Sequence, residues 1–332
     1  MITNSSAPLS VTNHRFAVMG GDRRMLFLAE RLANAGCSVS LVGCGDDCLP
    51  NTDRPVRRFG NLETAAEDAT ALVLPLPSTR DGETVWCPRD ADCTIPLSGI
   101  ASLLERRPDL YLFGGRLPRM LTAVSSPRVV DYYDSEALQL RNAYLTAEAA
   151  LMSAMQLTDH AVKGSTVAII GYGRIGQLLA RLLLALGADV TVCARREEVL
   201  LWAQTDGCHT VRLGADDRAG GGLFPLCYGH SVIFNTVPAH VLDRTILSRM
   251  ERGTVLVDLA SAPFGVADED IREATESGGL RYLRVPSLPG TYAPRDAGVI
   301  IADCILNALA RSEAYISDMP IDSIQPKGGQ FS

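Results

Sequence analysis

A glycine-rich turn in the middle of the chain constrains the fold more than any other feature. The segment 166–196 reads TVAIIGYGRIGQLLARLLLALGADVTVCARR, and its apolar start, Val167–Ile170, predicts a buried strand. A G-x-G-x-x-G turn follows, in which the first glycine makes a tight turn, the second admits a pyrophosphate and the third packs helix on strand. The turn consists of Gly171, Tyr172, Gly173, Arg174, Ile175 and Gly176.

A helix and a second strand follow this turn in the order that a dinucleotide-binding unit requires. Apolar residues recur at helical spacing over 175–186, Gly187 ends the helix, and 190–194 predict the next strand. The helix N-terminus directs unpaired N–H groups and a positive dipole end at phosphates. We therefore expect the six turn residues to bind a dinucleotide, in preference to forming a merely structural turn.

Two arginines after the second strand bear on the choice of cofactor. An NAD site usually has Asp or Glu there to bind the ribose 2′-hydroxyl, whereas this chain has Arg195 and Arg196. Guanidinium groups pair bidentately with a 2′-phosphate. The sequence therefore favours NADP over NAD, the alternative being that both arginines begin the next helix as a solvated face.

The amino-terminal part of the chain repeats the same plan. Residues 15–43 align without a gap on residues 151 positions later, so that Gly20 falls on Gly171. Asp22 replaces the second glycine, and an acid there repels pyrophosphate. We expect this first turn, Gly20–Arg23, not to bind a dinucleotide and to be free for another ligand; the alternative is a plain turn with a surface aspartate.

Composition bounds the class of protein. The chain has 332 residues, enough for two domains, with 47% hydrophobic and 21% charged residues and a net charge of −7. This balance argues against nucleic-acid or membrane-surface binding. Nine scattered cysteines, without a C-x-x-C pair, predict reduced thiols and no metal site. With no signal peptide and no 18-residue apolar run, we expect a cytoplasmic protein.

The remaining pattern predicts an α/β chain of two doubly wound parallel-sheet domains separated by a cleft. The predicted domains are residues 1–140, completed by a C-terminal helix at 297–312, and residues 141–296, which contain the glycine-rich turn; 313–332 are a tail. The main local predictions are a mobile tail at 1–13, loops at 44–60, 214–222 and 286–294, an excursion at 79–95, and helices at 61–69, 98–106, 135–158, 196–206, 271–277 and 296–310.

Polar and small residues follow three strands of the second predicted domain. Ligands of open α/β sheets sit at the carboxyl ends of strands, so we expect these residues on the cofactor side, with ordinary turn chemistry as the alternative. They are Asn235, Thr236, Val237, Pro238, Ala260, Ser261 and the 286–294 loop.

Several of these motifs together resemble one family, the A subunits of dipicolinate synthase. The resemblance spans 15 to about 310, and the first turn with the 142–148 block is its specific part. Its residues are Gly20–Arg23, Asn142, Thr146–Glu148, Gly171–Gly176, Asn235–Pro238, Asp258–Ser261, Leu288–Gly290, Ala293–Pro294 and Ala297–Gly298. The chain departs from the family in longer segments at 79–95 and 214–229.

The resemblance implies a fold, an activity and partners. The family makes dipicolinic acid for bacterial spores by oxidising a dihydrodipicolinate-type diacid, or its hydroxy-tetrahydro precursor, with NADP. Its members work beside the flavoprotein-like B subunit of dipicolinate synthase, and we expect a homo-oligomer as well. The fold is similar to the Rossmann-like D-2-hydroxyacid and alanine dehydrogenases.

Such an oxidation needs an oriented ring, partners for two carboxylates and a proton acceptor. Arginines in predicted loops suit the carboxylates; besides Arg23 and Arg295 these include Arg24 and Arg116. The candidate proton acceptors or relays are Asp22, Glu148 and Tyr292. The candidate substrate contacts are Gly21, Arg23, Pro77, Asn142, Thr146, Ser261 and Arg295.

Two other interpretations stay open. A D-2-hydroxyacid or alanine dehydrogenase-like oxidoreductase is one, although the D-2-hydroxyacid enzymes use a late histidine base and no histidine follows His240. The other is a non-catalytic protein that binds NADP and holds a partner.

Overall fold

The chain folds into two compact α/β units. The computed structural model describes residues 12–45, 52, 54–124, 126–214, 223–276, 279–285 and 288–317. One unit comprises residues 1–139 with 294–332, and the other comprises residues 140–293.

The first unit contains a six-stranded parallel sheet in the order β3-β2-β1-β4-β5-β6. Helices follow most of its strands, as a parallel sheet requires. Its strands are β1 Arg15–Met19, β2 Ser38–Val42, β3 Val56–Arg58, β4 Ala71–Val73, β5 Tyr111–Gly114 and β6 Val129–Asp131. Its helices are α1 Arg23–Asn34, α2 Leu62–Ala66, α3 Leu97–Arg106 and α4 Arg119–Thr122.

Helix α5, Glu136–Leu157, leads into the second unit, whose six parallel strands have the order β12-β11-β10-β7-β8-β9. The two halves on either side of β7 give this sheet a doubly wound topology. Its strands are β7 Thr166–Ile170, β8 Asp189–Ala194, β9 His209–Arg212, β10 Val232–Asn235, β11 Val255–Asp258 and β12 Arg281–Arg284. Its other helices are α6 Arg174–Ala185, α7 Glu197–Thr205, α8 Arg244–Leu247, α9 Asp268–Glu276 and α10 Leu288–Tyr292.

The last helix, α11 Pro294–Ser317, packs along α1 in the first unit. The close approach depends on Gly298, where an added Cβ would lie 2.3 Å from the carbonyl oxygen of Arg24. Ion pairs flank the contact, with Arg31 2.9 Å from Asp303. Buried side chains of both helices and of β1 and β2 form one core of this unit.

The repeat seen in the sequence is a structural repeat. Strands β1 and β7, and helices α1 and α6, begin and end at positions 151 residues apart. Both strands pair with the next one in the same register, since Arg15 lies opposite Ser38 and Thr166 opposite Asp189. The prediction of two parallel α/β units is therefore confirmed.

Four local predictions are wrong. Part of the 44–60 loop is β3, because a three-residue segment gains strand geometry by pairing with β2. The 286–294 loop contains α10, a short helix that its prolines and glycine do not suggest, while residues 286–287 lie outside the described part. The final helix starts at Pro294, a favourable first-turn residue, and runs to Ser317, into the predicted tail. Thr12 and Asn13, in the predicted amino-terminal tail, form a helical turn.

Two other expectations concern membrane spans and disulfide bonds. No helix among the described residues is long and apolar enough to cross a bilayer. The eight cysteines that the structure describes are all free thiols. Burial makes several of them poor nucleophiles; it raises the pKa of the Cys37 thiol to about 11. Residues 1–11 of the predicted tail and most of the 214–222 loop lie outside the described residues.

Candidate functional site

The three glycines of the turn after β7 have three different surroundings. Gly171 has φ +94°, and an added Cβ would lie 2.4 Å from Oγ1 of Thr236. At Gly176 an added Cβ would lie 2.3 Å from the carbonyl oxygen of Gly171, so this glycine lets α6 pack on the strand. Gly173 has no atom within 4 Å of its added Cβ. The space in front of Gly173 is open to a ligand, as a pyrophosphate-binding turn requires.

The amino end of α6 is available to an anion. Gly173 is its N-cap residue, and no side chain caps the helix. The first N–H groups of an α-helix have no partner within the helix, and they carry its positive dipole end. Arg174 and Ile175, the next residues of the turn, begin α6 and contribute their backbone to this end of the helix.

Tyr172 lies in the turn, but its side chain is turned away into the protein. Its ring is buried, and its hydroxyl donates to Oδ2 of Asp206 at 2.6 Å. Burial, followed by this bond to Asp206, raises the pKa of Tyr172 well above its usual range. Only the backbone of Tyr172 is therefore placed to meet a cofactor.

Three arginines gather where β8 and β9 end. Arg195 and Arg196 follow β8 and are exposed, and Arg212 lies opposite Ala194 at the end of β9. Arg196 is 3.4 Å from Glu198 and Arg212 is 3.3 Å from Glu197. Exposed pairs of this kind contribute little stability, so the cluster can exchange its carboxylates for a phosphate.

Asn235 and Asp258 end adjacent strands and bind each other inside the protein. Both are fully buried, and Nδ2 of Asn235 donates to Oδ1 of Asp258 at 2.9 Å. Asp258 also accepts the backbone N–H of Ala260 and Gly265 at 3.2 and 2.9 Å and the Tyr282 hydroxyl at 3.1 Å. With its amide also bonded to the backbone of Val237, Asn235 holds the loops in place and is turned away from any cofactor.

The other residues of these two loops differ in exposure. Thr236 is half-buried and donates its hydroxyl to the carbonyl of Ile170 at 3.0 Å, next to Gly171. Pro238 and Ser261 are exposed, Val237 is half-buried, and Ala260 is buried. Pro238, Ser261 and the backbone of Thr236 and Val237 are therefore the parts that a ligand can reach.

The first turn is closed at its two glycines, so the prediction that the whole turn is free for another ligand is wrong for Gly20 and Gly21. The N–H of Gly21 donates to the carbonyl of Trp86 at 2.7 Å. An added Cβ at Gly20 would lie 2.6 Å from the same carbonyl oxygen and 2.9 Å from Sγ of Cys87. Residues of the predicted excursion at 79–95 therefore pack against Gly20 and Gly21, and Asp22 takes the place that Gly173 has in the second turn.

Asp22 is committed to the protein as well. It is the N-cap of α1, with nearly the same backbone angles as Gly173 (φ −86° and −82°). Its carboxylate accepts from the N–H, Nε and Nη2 of Arg24 at 3.1, 2.8 and 2.9 Å. Arg24 is buried and also donates to the carbonyl of Leu76 at 2.6 Å. Three accepted bonds make Asp22 a poor candidate for a free base.

Two of the predicted substrate arginines meet on one ring. The guanidinium carbons of Arg23 and Arg295 lie 5.9 and 4.6 Å from the centroid of the Phe27 ring. Arg23 is exposed, whereas Arg295 also pairs with Glu30 at 3.0 Å. Helix packing of α11 on α1 thus brings together residues far apart in the sequence. Arg116 stands elsewhere, above the ring of Tyr133 at 4.9 Å.

The turn that follows β4 is bonded to Arg24, the buried partner of Asp22. Pro77 is half-buried and follows a cis peptide bond from Leu76. Ser78 is buried and donates its hydroxyl to the carbonyls of Pro75 and Gly115 at 3.2 and 3.0 Å. Because Arg24 binds Leu76 in the same turn, one buried side chain links Asp22 to the residues around Pro77.

The predicted 142–148 block does not form one surface. Thr146 lies one turn after Asn142 and donates its hydroxyl to the Asn142 carbonyl at 2.9 Å. At about 100° per residue, Glu148 points about 200° away from Thr146. It lies on the side of α5 that carries the exposed residues Tyr144 and Met152. Tyr292, the third candidate acid or base, is 38% exposed at the end of α10.

The comparisons with known proteins agree with this geometry. Residues 15–134 match the N-terminal domain of the dipicolinate synthase A subunit. Residues 135–215, which contain the open turn, match the NAD binding domain of D-isomer specific 2-hydroxyacid dehydrogenases. Over 311 residues the chain is 30% identical to the dipicolinate synthase A subunit of Bacillus subtilis (strain 168), covering 92% of this chain and 98% of that protein.

The chain belongs to the family of dipicolinate synthase A subunits. Two crystal structures of the family are similar over most of their length. That of the Bacillus subtilis protein has a TM-score of 0.77 at 28% identity and covers 94% of this chain and 100% of that one. That of the Bacillus halodurans protein has a TM-score of 0.75 at 28% identity, with 89% and 98% covered.

In this member of the dipicolinate synthase family, the second unit is therefore a dinucleotide-binding domain of the dehydrogenase type. The open cradle at Gly173 and the uncapped end of α6 fit the pyrophosphate of a nicotinamide dinucleotide.

The positions of two arginines in this member of the dipicolinate synthase family could not be predicted from the sequence motifs. Arg212 joins the cluster through the pairing of β9 with β8, which its weak strand pattern cannot specify. Arg24 is buried, although it stands among the arginines predicted to bind carboxylates in loops. The repeat aligns Arg24 with Ile175, an apolar helix position, and that alignment is the available signal that position 24 points inward.

Proposed function

We propose that this chain oxidises a dihydrodipicolinate-type diacid, or its hydroxy-tetrahydro precursor, to dipicolinate with NADP. The observation that carries the proposal is the contrast between the two turns in a member of this family. The second turn is open at Gly173, whereas the equivalent position of the first turn is Asp22, whose carboxylate is bonded to Arg24.

The arginine cluster supports NADP over NAD. Arg195, Arg196 and Arg212 stand at the strand ends where the adenosine ribose lies in this fold. The two residues directly after β8 are arginines, where an NAD site usually has a carboxylate that accepts a bond from the 2′-hydroxyl. A 2′-phosphate would find two to three guanidinium groups there.

Arg23 and Arg295 are the proposed partners of the two substrate carboxylates. Both guanidiniums pack against Phe27, which limits their motion and preorganises them for an anionic group. Arg24 braces the adjoining turn through Asp22 and Leu76, and it is not a substrate contact. Gly21 and Pro77 shape the same region through their backbone.

When bound, the nicotinamide supplies the acceptor for the hydride that leaves the ring. The chain then has to hold the diacid and take one proton. Asn142 and Thr146 are proposed to orient the substrate, with the backbone near Ser261. Because aromatisation provides a large driving force, orientation matters more than the base.

The proton acceptor is proposed to be Glu148 or Tyr292. Within the part of the chain that the structure describes, neither side chain is held by a hydrogen bond to another protein group, and Tyr292 is 38% exposed. Asp22, by contrast, is fully engaged by Arg24.

The relatives are A subunits, which implies a B subunit, and we propose that this chain works beside such a flavoprotein-like partner. Its own homo-oligomer is proposed as well. Size measurement of the purified chain, with and without a co-expressed B subunit, tests both associations.

The experiment is an activity assay of the purified chain with NADP, alone and with the B subunit. A chemically prepared dihydrodipicolinate is the substrate, and absorbance of NADPH and of the pyridine dicarboxylate is followed. We expect equal amounts of both products. If NADP binds but no product forms with or without the B subunit, the chain is a non-catalytic protein that binds NADP and holds a partner. Turnover of pyruvate instead would identify a 2-hydroxyacid dehydrogenase.

A further inference from the structure

A pocket lies in the first unit at the amino ends of its strands, whereas the closed turn lies at their carboxyl ends. Its volume is about 510 Å³. It lies where β1, β2 and β3 begin, against α2. Six of the residues that line it are Arg15, Ser38, Ser40, Arg54, Arg57 and Phe59. We call it the strand-start pocket.

The pocket exists because this face of the sheet carries small side chains and a short helix. Register places Ser38 beside Arg15, and Ser40 beside Arg57, on one face. Alternate residues of β2 point to the other face, where Leu41 is buried in the core under α1, and Val39 lines the pocket only at the start of the strand. Helix α2 has five residues, against twelve in α1, and leaves the strand starts uncovered.

The pocket is positively charged in an acidic chain. The described residues that line it include three arginines and one aspartate, Asp68, which together carry two positive charges while the chain as a whole carries −7. Arg54 and Arg57 are exposed, and across residues 54–124 and the other described ranges no carboxylate lies within ion-pair distance of either. Arg15 donates through Nε to the backbone of Asp68, which fixes its guanidinium at the rim.

We propose that the strand-start pocket binds a small phosphorylated metabolite. Guanidinium groups bind phosphate oxygens bidentately, and the Ser38 and Ser40 hydroxyls add donors. Phe59 supplies an apolar wall for the rest of the molecule. The volume falls in the range of small-ligand sites, roughly 300–1,000 Å³.

The ligand is a molecule other than the substrate. Five residues of β1 separate Arg15 from the first turn, a distance of about 16 Å at about 3.3 Å per residue. A molecule in this pocket therefore cannot touch Asp22 or Arg23.

Calorimetric titration of inorganic pyrophosphate into the full chain tests the proposal. Three proteins are compared: the unmodified chain, Arg54→Ala/Arg57→Ala, and the matched control Arg106→Ala/Arg119→Ala, which removes two exposed arginines of the same unit outside the pocket. Melting temperatures show that all three are folded. Malonate, a dicarboxylate, is titrated in parallel.

We expect pyrophosphate to bind the unmodified chain and the control equally, and to bind Arg54→Ala/Arg57→Ala roughly tenfold or more weakly. Malonate should bind the unmodified chain more weakly than pyrophosphate. The proposal is overturned if pyrophosphate does not bind the unmodified chain, or if malonate binds it as tightly as pyrophosphate does. It is also overturned if both double variants lose affinity for pyrophosphate to the same extent, or if neither variant loses affinity. An acidic protein surface as the occupant would give the first of these results.

Discussion

Nδ2 of Asn235 donates to Oδ1 of Asp258 at 2.9 Å, and neither side chain has any exposed surface. The two residues end neighbouring strands, β10 and β11, and lie directly opposite each other. Their pairing fixes the two loops that follow, at the edge of the sheet where a nicotinamide dinucleotide is expected to bind. Both residues therefore act by positioning backbone.

Changing Asp258 to Asn should destabilise the protein by about 2–4 kcal/mol. In asparagine an NH2 group, which is a donor, replaces one carboxylate oxygen. This donor would face either the backbone N–H groups or the Tyr282 hydroxyl, all of which now donate hydrogen bonds to Asp258. Urea unfolding measures the free energy. The matched control is Asp159→Asn, whose side chain is 78% exposed in a surface pair with Arg281 and should cost less than about 1 kcal/mol. Equal losses in both variants would contradict the network's role.

Neighbouring arginines of α1 should behave in opposite ways. Arg24→Gln should lower the melting temperature clearly, because Asp22 and the Leu76 carbonyl lose their buried partner. Arg23→Gln should leave the melting temperature nearly unchanged and raise the KM for the diacid roughly tenfold. Thermal unfolding and steady-state kinetics of both variants test this. The idea fails if Arg23→Gln unfolds the protein while Arg24→Gln alters only KM.

The arginine cluster should decide between the two nucleotides. Arg195→Ser/Arg196→Ser should weaken NADP roughly tenfold or more and leave NAD affinity within about twofold, because only NADP has the 2′-phosphate. Calorimetric titration of each nucleotide measures both affinities. Arg252→Ser/Arg272→Ser, in the same unit and outside the cluster, is the charge-matched control. An equal loss of affinity for both nucleotides would mean that the two arginines do not bind the 2′-phosphate.

The third glycine of the turn should matter for stability more than for contact with the ligand. Gly176→Ala places a methyl group 2.3 Å from the Gly171 carbonyl oxygen, so α6 must shift away from β7. We expect a loss of about 1–3 kcal/mol in the free energy of unfolding, measured in urea. Gly60→Ala, with no nearby atom, is the control and should be nearly neutral. A loss at Gly60 as large as that at Gly176 would contradict the packing role.

The repeat and the open turn can be predicted because their signals are local. Glycine at 171, 173 and 176, an amphipathic helix and two apolar strands all lie within about thirty residues. The closure of the first turn cannot be predicted, because Trp86 reaches Gly21 from 65 positions away. The edge strand β3 and the meeting of Arg23 with Arg295 likewise depend on tertiary pairing that no local pattern encodes.

Within the proposed site, neighbouring residues of the sequence often separate in space. The sequence predicts Asp22 as a candidate base, yet its nearest cation, Arg24, is two residues away and points inward. Asn142 and Glu148 belong to one motif but to different sides of α5. Helical phase, at about 100° per residue, is the local signal that separates them.

We propose that a dinucleotide binds at Gly173, and calorimetry of NADP on the unmodified chain and on Gly173→Ala tests this most directly. Gly173 has φ −82° and open space beside it, so alanine should fold with an unchanged melting temperature. Its methyl group would occupy the place of the pyrophosphate, and we predict one NADP per unmodified chain with affinity lowered roughly tenfold or more in the variant. Undiminished NADP binding by Gly173→Ala, or no binding by the unmodified chain, would contradict this placement.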